Sequence, residues 1–105
     1  MVHELKCYPQ FFEAVWSGDK LFEVRKNDRD FKVGDSLLLV EWWTPSSEGV
    51  VMPVEGHRRA CKYTGRGIVA EIIYVLPYKD FSQALQEGYC VLGLGSFRRY
   101  RKESP

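Results

Sequence analysis

The sequence predicts a small α+β domain built on a closed or half-closed β-barrel with helices over its openings. The chain has 105 residues, of which 45% are hydrophobic and 14% aromatic, enough for one core but not for two. Strand and helix patterns follow one another as strand, helix, several strands, short helix and strand. Two of the strand segments are apolar on both faces, which is typical of interior or barrel strands.

The first predicted elements are a strand and an amphipathic helix. His3–Cys7 is short and predicts an opening strand. Pro9 follows at a position that the first turn of a helix tolerates. Apolar residues then recur at one-and-four spacing and give the helix one aromatic face: Phe11, Phe12, Val15 and Trp16. Gly18 comes directly after them, where a left-handed residue commonly ends a helix.

Two further strands and two turns are predicted before the middle of the chain. Leu21–Arg25 alternates as a strand, with Glu23 and Arg25 on one face. Asn27–Asp30 and Val33–Asp35 are polar turns. Ser36–Trp43 is apolar on both faces and predicts an interior strand.

The second half of the chain predicts a long loop and the longest strand. Residues 44–62 are rich in Pro, Gly and Ser and predict a loop insertion, and loops of this length tend to be functional or disordered. Gly65–Leu76 predicts a strand with two apolar faces, the first formed by Ile68, Ala70, Ile72 and Tyr74, and the second by Val69, Glu71, Ile73 and Val75.

The remaining residues predict a short helix, a last strand and a tail. Asp80 and Gln83 have the spacing of a capping box, and Gly88 would end the helix that follows. Tyr89–Leu94 predicts the final strand. We therefore expect one domain over residues 1–97 and a basic C-terminal tail over residues 98–105.

Charge and cysteine usage exclude several classes of protein. The formal net charge is +1, so nucleic-acid binding would require a local patch of cations. Cys7, Cys61 and Cys90 show neither disulfide nor zinc-ligand spacing, and we expect reduced thiols, with Cys7 and Cys90 buried in strands. No apolar run reaches the roughly 20 residues of a membrane helix. We expect a cytoplasmic protein without a metal, a cofactor or a membrane partner, with a monomer slightly favoured.

The most informative segment is the charged stretch that begins at Gly18. Lys20, Glu23 and Arg25 are spaced so that three charges surround one opening. The Glu23 carboxylate can orient the Arg25 guanidinium, whose other donors then suit a phosphate or a base edge. The alternative is an ordinary surface ion pair worth about 0–1 kcal/mol.

This stretch also carries a resemblance to a known family. Gly18-x-Lys20-x-x-Glu23-x-Arg25, an aromatic helix before it and Phe31–Asp35 after it resemble the ASCH domain of the PUA-like superfamily. The chain looks closest to a small bacterial and phage branch without assigned function. The resemblance implies a PUA-like barrel of five to six strands with two or three helices packed on it. It also implies a cleft beside the first helix that binds RNA or single-stranded nucleic acid.

One small ASCH branch is instead an amidohydrolase that acts on acetylated cytidine. The resemblance places its lysine at Lys20 and its threonine nucleophile at position 23, where this chain has glutamate. The alternative function is therefore a small hydrolase of a modified nucleoside or base, with Lys20, Glu23 and Glu71 as its catalytic set and a carboxylate as general base. Glu71 lies in an apolar strand and would need a partner such as Arg25 or Lys20 if it were buried.

Other candidates could contribute to the same nucleic-acid or nucleotide site. Tyr63, Thr64 and Arg66 combine an aromatic ring, a hydroxyl and a guanidinium next to glycines, although a turn into the long strand explains them equally well. Arg29 is a secondary candidate. The basic segments His57–Arg59 and Arg98–Lys102 suit phosphates but also suit solvated chain. One residue of the pair Trp42-Trp43 must face outwards, either as a stacking platform or covered by the loop.

Overall fold

The computed structural model describes residues 1–44 and 62–102, and in these ranges one α-helix lies on a curved sheet of five strands. The elements in chain order are β1 (Val2–Cys7), α1 (Pro9–Trp16), β2 (Phe22–Lys26), β3 (Ser36–Trp43), β4 (Lys62–Pro77) and β5 (Tyr89–Arg101). A short 3-10 turn, Tyr78–Asp80, links β4 to β5.

The sheet has the strand order β1-β3-β4-β5-β2 and forms a half-barrel. β1 and β3 are parallel, and the other neighbouring strands are antiparallel. The predicted half-closed β-barrel is therefore confirmed at this coarse level, with five strands. β1 and β2 are the two edges of the sheet, and the open side of the half-barrel lies between them.

The core lies on the concave face and follows the alternation of the strands. In β3, Leu37 and Leu39 are fully buried while their neighbours are only partly buried. β3 has a paired strand on each side, which confirms its prediction as an interior strand. Cys7 and Cys90 are buried in β1 and β5, as the sequence predicted.

The alternation of β4 changes partway along the strand. Ile68, Ala70 and Ile72 are buried as predicted. Tyr74, which was predicted to share their face, is exposed, because the register with β5 shifts between Ile72 and Tyr74. A bulge of this kind turns the following side chains to the opposite face, and Val75 packs against the core instead.

Helix α1 covers one end of the half-barrel. Phe12 and Val15 have no exposed surface, and this packing is what holds a helix of eight residues that would be marginal alone. Gly18 has a φ of +89°, as expected for the residue that ends the helix. Arg99 of β5 donates from Nε to the carbonyl of Trp16 at 2.6 Å, which satisfies one of the free carbonyls at the helix end.

The predicted helix between Asp80 and Gly88 is wrong, and with it the expectation of two or three helices. The segment forms a 3-10 turn and isolated turns, in which Ala84 and Leu85 both donate to the carbonyl of Phe81. Phe81 is 40% exposed, so this segment buries little of its apolar surface. A helix this short does not repay its nucleation cost without such burial.

The C-terminal residues also differ from the expected tail. β5 continues to Arg101 and pairs with β4 from Arg66 to Val69, so the basic residues Arg98–Arg101 belong to the sheet. Most of the predicted loop 44–62, including His57–Arg59, falls on residues 45–61, which lie outside the described residues, and Lys62 is the first residue of β4.

Asp35 gives the fold a testable dependence on pH. His3 is buried and donates from Nε2 to Asp35 Oδ2 at 2.8 Å, and this bond lowers the pKa of the Asp35 carboxyl. A lowered pKa in the folded state stabilises the protein above the ordinary pKa of the unfolded chain, and this stabilisation is lost as the pH falls through the folded value. We expect the stability advantage of the wild type over Asp35→Asn to shrink as the pH falls below about pH 4. Urea unfolding of both proteins between pH 7 and pH 3 measures this; an advantage that grows in acid would contradict it.

Candidate functional site

The residues of the predicted charged cluster come together where α1 meets β2. After Gly18 the chain turns back, and the Lys20 amide donates to the carbonyl of Ala14 at 2.9 Å. Lys20 therefore lies beside the end of the helix. Glu23 and Arg25 follow on the inward face of β2, as the alternation of that strand predicted.

Glu23 is the centre of this cluster. Its side chain is only 3% exposed. Lys20 donates from Nζ to Oε1 at 2.8 Å, and Arg25 approaches Oε2 with Nε at 3.0 Å and Nη2 at 2.9 Å. Both carboxylate oxygens are thus engaged by cations, which is how a buried carboxylate is stabilised.

A cleft of about 590 Å³ opens above this cluster. Its size is within the range of sites for small ligands or single nucleotides. Three cations and one carboxylate line it: Lys6, Lys20, Arg25 and Glu23. Four aromatic rings complete much of its wall: Tyr8, Phe11, Phe22 and Trp42.

The aromatic rings and the cations of the cleft alternate in space. Lys6 Nζ lies 4.3 Å from the centre of the Trp42 ring. Lys20 Nζ lies 5.6 Å from the Phe11 ring and 5.3 Å from the Phe22 ring. Phe11 and Phe22 are about half exposed, so part of each ring is accessible to a ligand.

Tyr63 extends the aromatic wall without lining the cleft. Its ring meets the Trp42 ring edge-on, with centroids 4.6 Å apart. Trp43 is buried, whereas Trp42 faces the cleft. The outward Trp of the pair is therefore Trp42, and Tyr63 lies next to the site to which the sequence assigned it.

Cys7 also borders the cleft but lacks the character of a nucleophile. The thiol is buried, and this burial, reinforced by the negative charge of Glu23, raises its pKa to about 12. Because the thiolate is the reactive form of cysteine, Cys7 is inert near neutral pH.

Thr64 and Arg66 belong to a second cluster, centred on the buried carboxylate of Glu41. Thr64 Oγ1 donates to Glu41 Oε1 at 2.6 Å, and Arg66 donates from Nε to Oε1 at 2.9 Å and from Nη2 to Oε2 at 3.0 Å. The bond to Glu41 is the main reason that the pKa of Arg66 is raised. Arg66 Nη2 also bonds Glu13 of α1 at 2.9 Å, and its guanidinium lies 4.7 Å from the Trp16 ring. This cluster links β3, β4 and α1. Thr64 and Arg66, the two predicted site residues in it, do not line the cleft.

Two other predicted residues also lie outside the cleft. Arg29 donates from Nη1 to the carbonyl of Glu4 at 2.8 Å and borders a smaller neighbouring cavity. Glu71 is exposed on the outer face of β4 and pairs in register with Ser36, so it does not need the partner, Arg25 or Lys20, that a buried Glu71 would require. The inner positions of β4 at this point are Ala70 and Ile72.

The glycines near Tyr63 serve packing between strands. A Cβ at Gly67 would collide with the ring of Tyr100, which lies across it on β5. Gly65 has a φ of +102°, and its carbonyl accepts a bond from the Lys102 amide at 2.7 Å.

Sequence reasoning missed Glu41 and most of the aromatic wall. Glu41 had only a partial signal: it shares a strand face with Leu37 and Leu39, but β3 is apolar on both faces, so the pattern does not show which face is buried. Lys6, Tyr8 and Phe22 had none, because the strand end, the helix and β2 that carry the cleft are brought together only by the fold.

In residues 1–44 and 62–102, no group of three or more His, Cys, Asp or Glu side chains is arranged to hold a metal ion. The same residues contain no helix long and apolar enough to span a membrane.

Comparison with known proteins relates the chain to one family. It is 34% identical over 80 residues to the "Uncharacterized 12.9 kDa protein in GpA 3'region" of Escherichia phage P2. The match covers 76% of this chain but only 59% of the phage protein, so the chain spans less than two thirds of that relative. Residues 2–94 match the family described as "Domain of unknown function (DUF3850)", a match that includes the whole cleft. The chain therefore belongs to the DUF3850 family.

Proposed function

We propose that this chain binds single-stranded nucleic acid, RNA or DNA, in the cleft above Glu23. The observation that carries this proposal is that partly exposed aromatic rings and the cations Lys6, Lys20 and Arg25 line one cleft. Proteins that bind single strands combine stacking rings with cations along the backbone, and each stacked base contributes about 1–3 kcal/mol. The half-barrel with a helix over one end also supports the resemblance to ASCH domains and their PUA-like fold.

Each group in the cleft has a role in this proposal. Phe11 and Phe22 offer exposed ring surface on which a base can stack, and Trp42 adds a ring that already has Lys6 over one face. Lys20 and Arg25 face the phosphate, while Glu23 holds both of them in place from below. A guanidinium that is oriented in advance loses less freedom when it binds a phosphate.

The hydrolase alternative has less support. A general base needs a carboxylate oxygen that is free to take a proton, whereas both oxygens of Glu23 accept hydrogen bonds from cations. Position 23 lacks the threonine nucleophile of the amidohydrolases, and Glu71 is exposed outside the cleft. The arrangement of Glu23 therefore favours binding.

Two measurements test the proposal: the dependence of the binding affinity on salt, and the change in affinity when one aromatic ring of the cleft is removed. Fluorescence anisotropy with labelled single-stranded RNA and DNA should give an affinity that falls steeply with added salt. Phe11→Ala should weaken binding by roughly tenfold, because it removes one stacking face. Phe81→Ala is the matched control, because this phenylalanine is also partly exposed and lies outside the cleft.

Two results would contradict the proposal. One is an affinity that does not change with salt, and the other is an equal loss for Phe11→Ala and Phe81→Ala. Comparison of the RNA and DNA titrations also tells which strand is preferred.

A further inference from the structure

The open side of the half-barrel is a seam between the edge strands β1 and β2. No backbone pairing joins these two strands. Two guanidinium groups reach β1 instead, one from β2 and one from the turn that follows it: Arg25 Nη2 donates to the carbonyl of Lys6, and Arg29 Nη1 donates to the carbonyl of Glu4, each at 2.8 Å. The side chains thus satisfy edge carbonyls that a sixth strand would otherwise bind, and they leave the seam open and basic.

A second cavity lies on the same seam. Its volume is about 300 Å³, and it shares Val24 and Arg25 with the cleft. Arg25, Lys26 and Arg29 line it against a single carboxylate, Asp28. The two cavities therefore adjoin each other, with the Arg25 side chain at their boundary.

At the boundary between the two cavities, the Arg25 guanidinium still has N–H groups that can donate hydrogen bonds to a ligand. Its Nε and Nη2 bind Glu23 and the Lys6 carbonyl. Within the described part of the chain, its Nη1 makes no hydrogen bond to protein. A guanidinium has five N–H donors, so two remain at the boundary between the cavities.

The cavities differ in chemistry. The cleft is rich in aromatic rings, whereas the second cavity is mainly polar and cationic. A base with its neighbouring phosphate presents the same two chemistries side by side, since the base stacks on rings and the phosphate accepts bonds from guanidinium groups.

We propose that the two cavities are successive subsites of one groove that binds an oligonucleotide strand, with one nucleotide in the cleft, its own phosphate beside Lys20, and the phosphate of the next nucleotide held by Arg25, Lys26 and Arg29. This proposal rests on the proposed function and makes it more specific: the ligand is a strand of at least two nucleotides rather than a free nucleoside or mononucleotide.

Ligand length is the first test. Binding of a 5′-mononucleotide, a dinucleotide and a tetranucleotide of one base is measured by calorimetry at fixed salt. We expect the tetranucleotide to bind at least about tenfold more tightly than the mononucleotide. Equal affinities for the two would overturn the subsite proposal and leave the proposed function standing.

Two variants of the second cavity complete the test. Arg29→Ala should weaken tetranucleotide binding about fivefold and reduce its salt slope by about 1, without changing mononucleotide binding. Asp28→Asn should strengthen tetranucleotide binding, a gain that no folding defect can imitate. Lys79→Ala removes an exposed cation outside both cavities and is the control.

The outcomes separate the two proposals. If Asp28→Asn and Arg29→Ala both leave tetranucleotide affinity unchanged, the second subsite is wrong and the cleft alone binds nucleic acid. If no nucleotide of any length binds, the proposed function and the subsite both fail.

Discussion

Glu41→Ala is expected to lower the free energy of unfolding by about 3–5 kcal/mol, the usual cost of removing one partner of a buried ion pair. The variant deprives the Arg66 guanidinium of two hydrogen bonds and the Thr64 hydroxyl of its acceptor. Arg66 is only 15% exposed, so water has limited access to the guanidinium and can replace its lost bonds only in part. Such a loss is a large part of the stability of a domain of this size.

Glu13→Ala is the matched control for this prediction. Glu13 bonds the same guanidinium at 2.9 Å, but its side chain is 59% exposed, and we expect a loss below about 1 kcal/mol. Urea unfolding followed by tryptophan fluorescence measures both variants. Equal losses would contradict the conclusion that the buried Glu41 ties the sheet to the helix.

The strands were predictable because their alternation reports which face is buried. This reasoning located β1, β2, β3 and most of β4, and it placed Glu23 and Arg25 together on one face. It failed at Tyr74, because a bulge in β4 changes the face and leaves no mark in the pattern of side chains.

Glu41 in β3 and Glu71 in β4 show the same limit, because alternation alone does not tell which face of an interior strand is buried. Glu71 was a candidate site residue because it interrupts an apolar strand, yet the buried carboxylate of these two strands is Glu41. In β3 the inward positions are Leu37, Leu39 and Glu41, whereas in β4 they are Ala70 and Ile72. Two apolar faces leave the inward face undecided until the neighbouring strands are known.

The ends of elements were the least predictable. Arg98–Arg101 looked like a tail because of their charge, but pairing with β4 extends β5 through them. Hydrogen bonds between the backbones of two strands do not require apolar side chains. The charge of Arg98–Arg101 therefore could not exclude a strand. The capping-box spacing of Asp80 and Gln83 was likewise insufficient without a face to bury.

The sequence predicted the three central charges of the candidate site but neither Lys6 nor the arrangement of its aromatic rings. Lys20, Glu23 and Arg25 are close in sequence, so their spacing implied their contact. Trp42 and the helix residue Phe11 reach the cleft from separate elements, and only the tertiary fold brings them together.

The largest effect on binding is expected when the charges of the cluster are replaced together. Removing Lys20 and Arg25 alone would leave Glu23 as an unpaired buried charge and would confuse a binding defect with unfolding. The triple variant Lys20→Met, Glu23→Leu and Arg25→Met avoids this, because apolar replacement of a whole buried ion cluster is often neutral for stability. We expect an unfolding free energy within about 2 kcal/mol of the wild type. Two charge-assisted contacts to the ligand are lost, which should weaken binding by about 100-fold.

The affinity of this triple variant for a single-stranded oligonucleotide, measured beside the wild type at low salt, tests the central claim most directly. Lys79→Met is its control, because it lowers the net charge by the same single unit at a position outside the cleft. We expect a folded triple variant with binding reduced about 100-fold and a control that binds nearly as well as the wild type. A folded triple variant that binds as tightly as the control would show that the Lys20–Glu23–Arg25 cleft is not where nucleic acid binds.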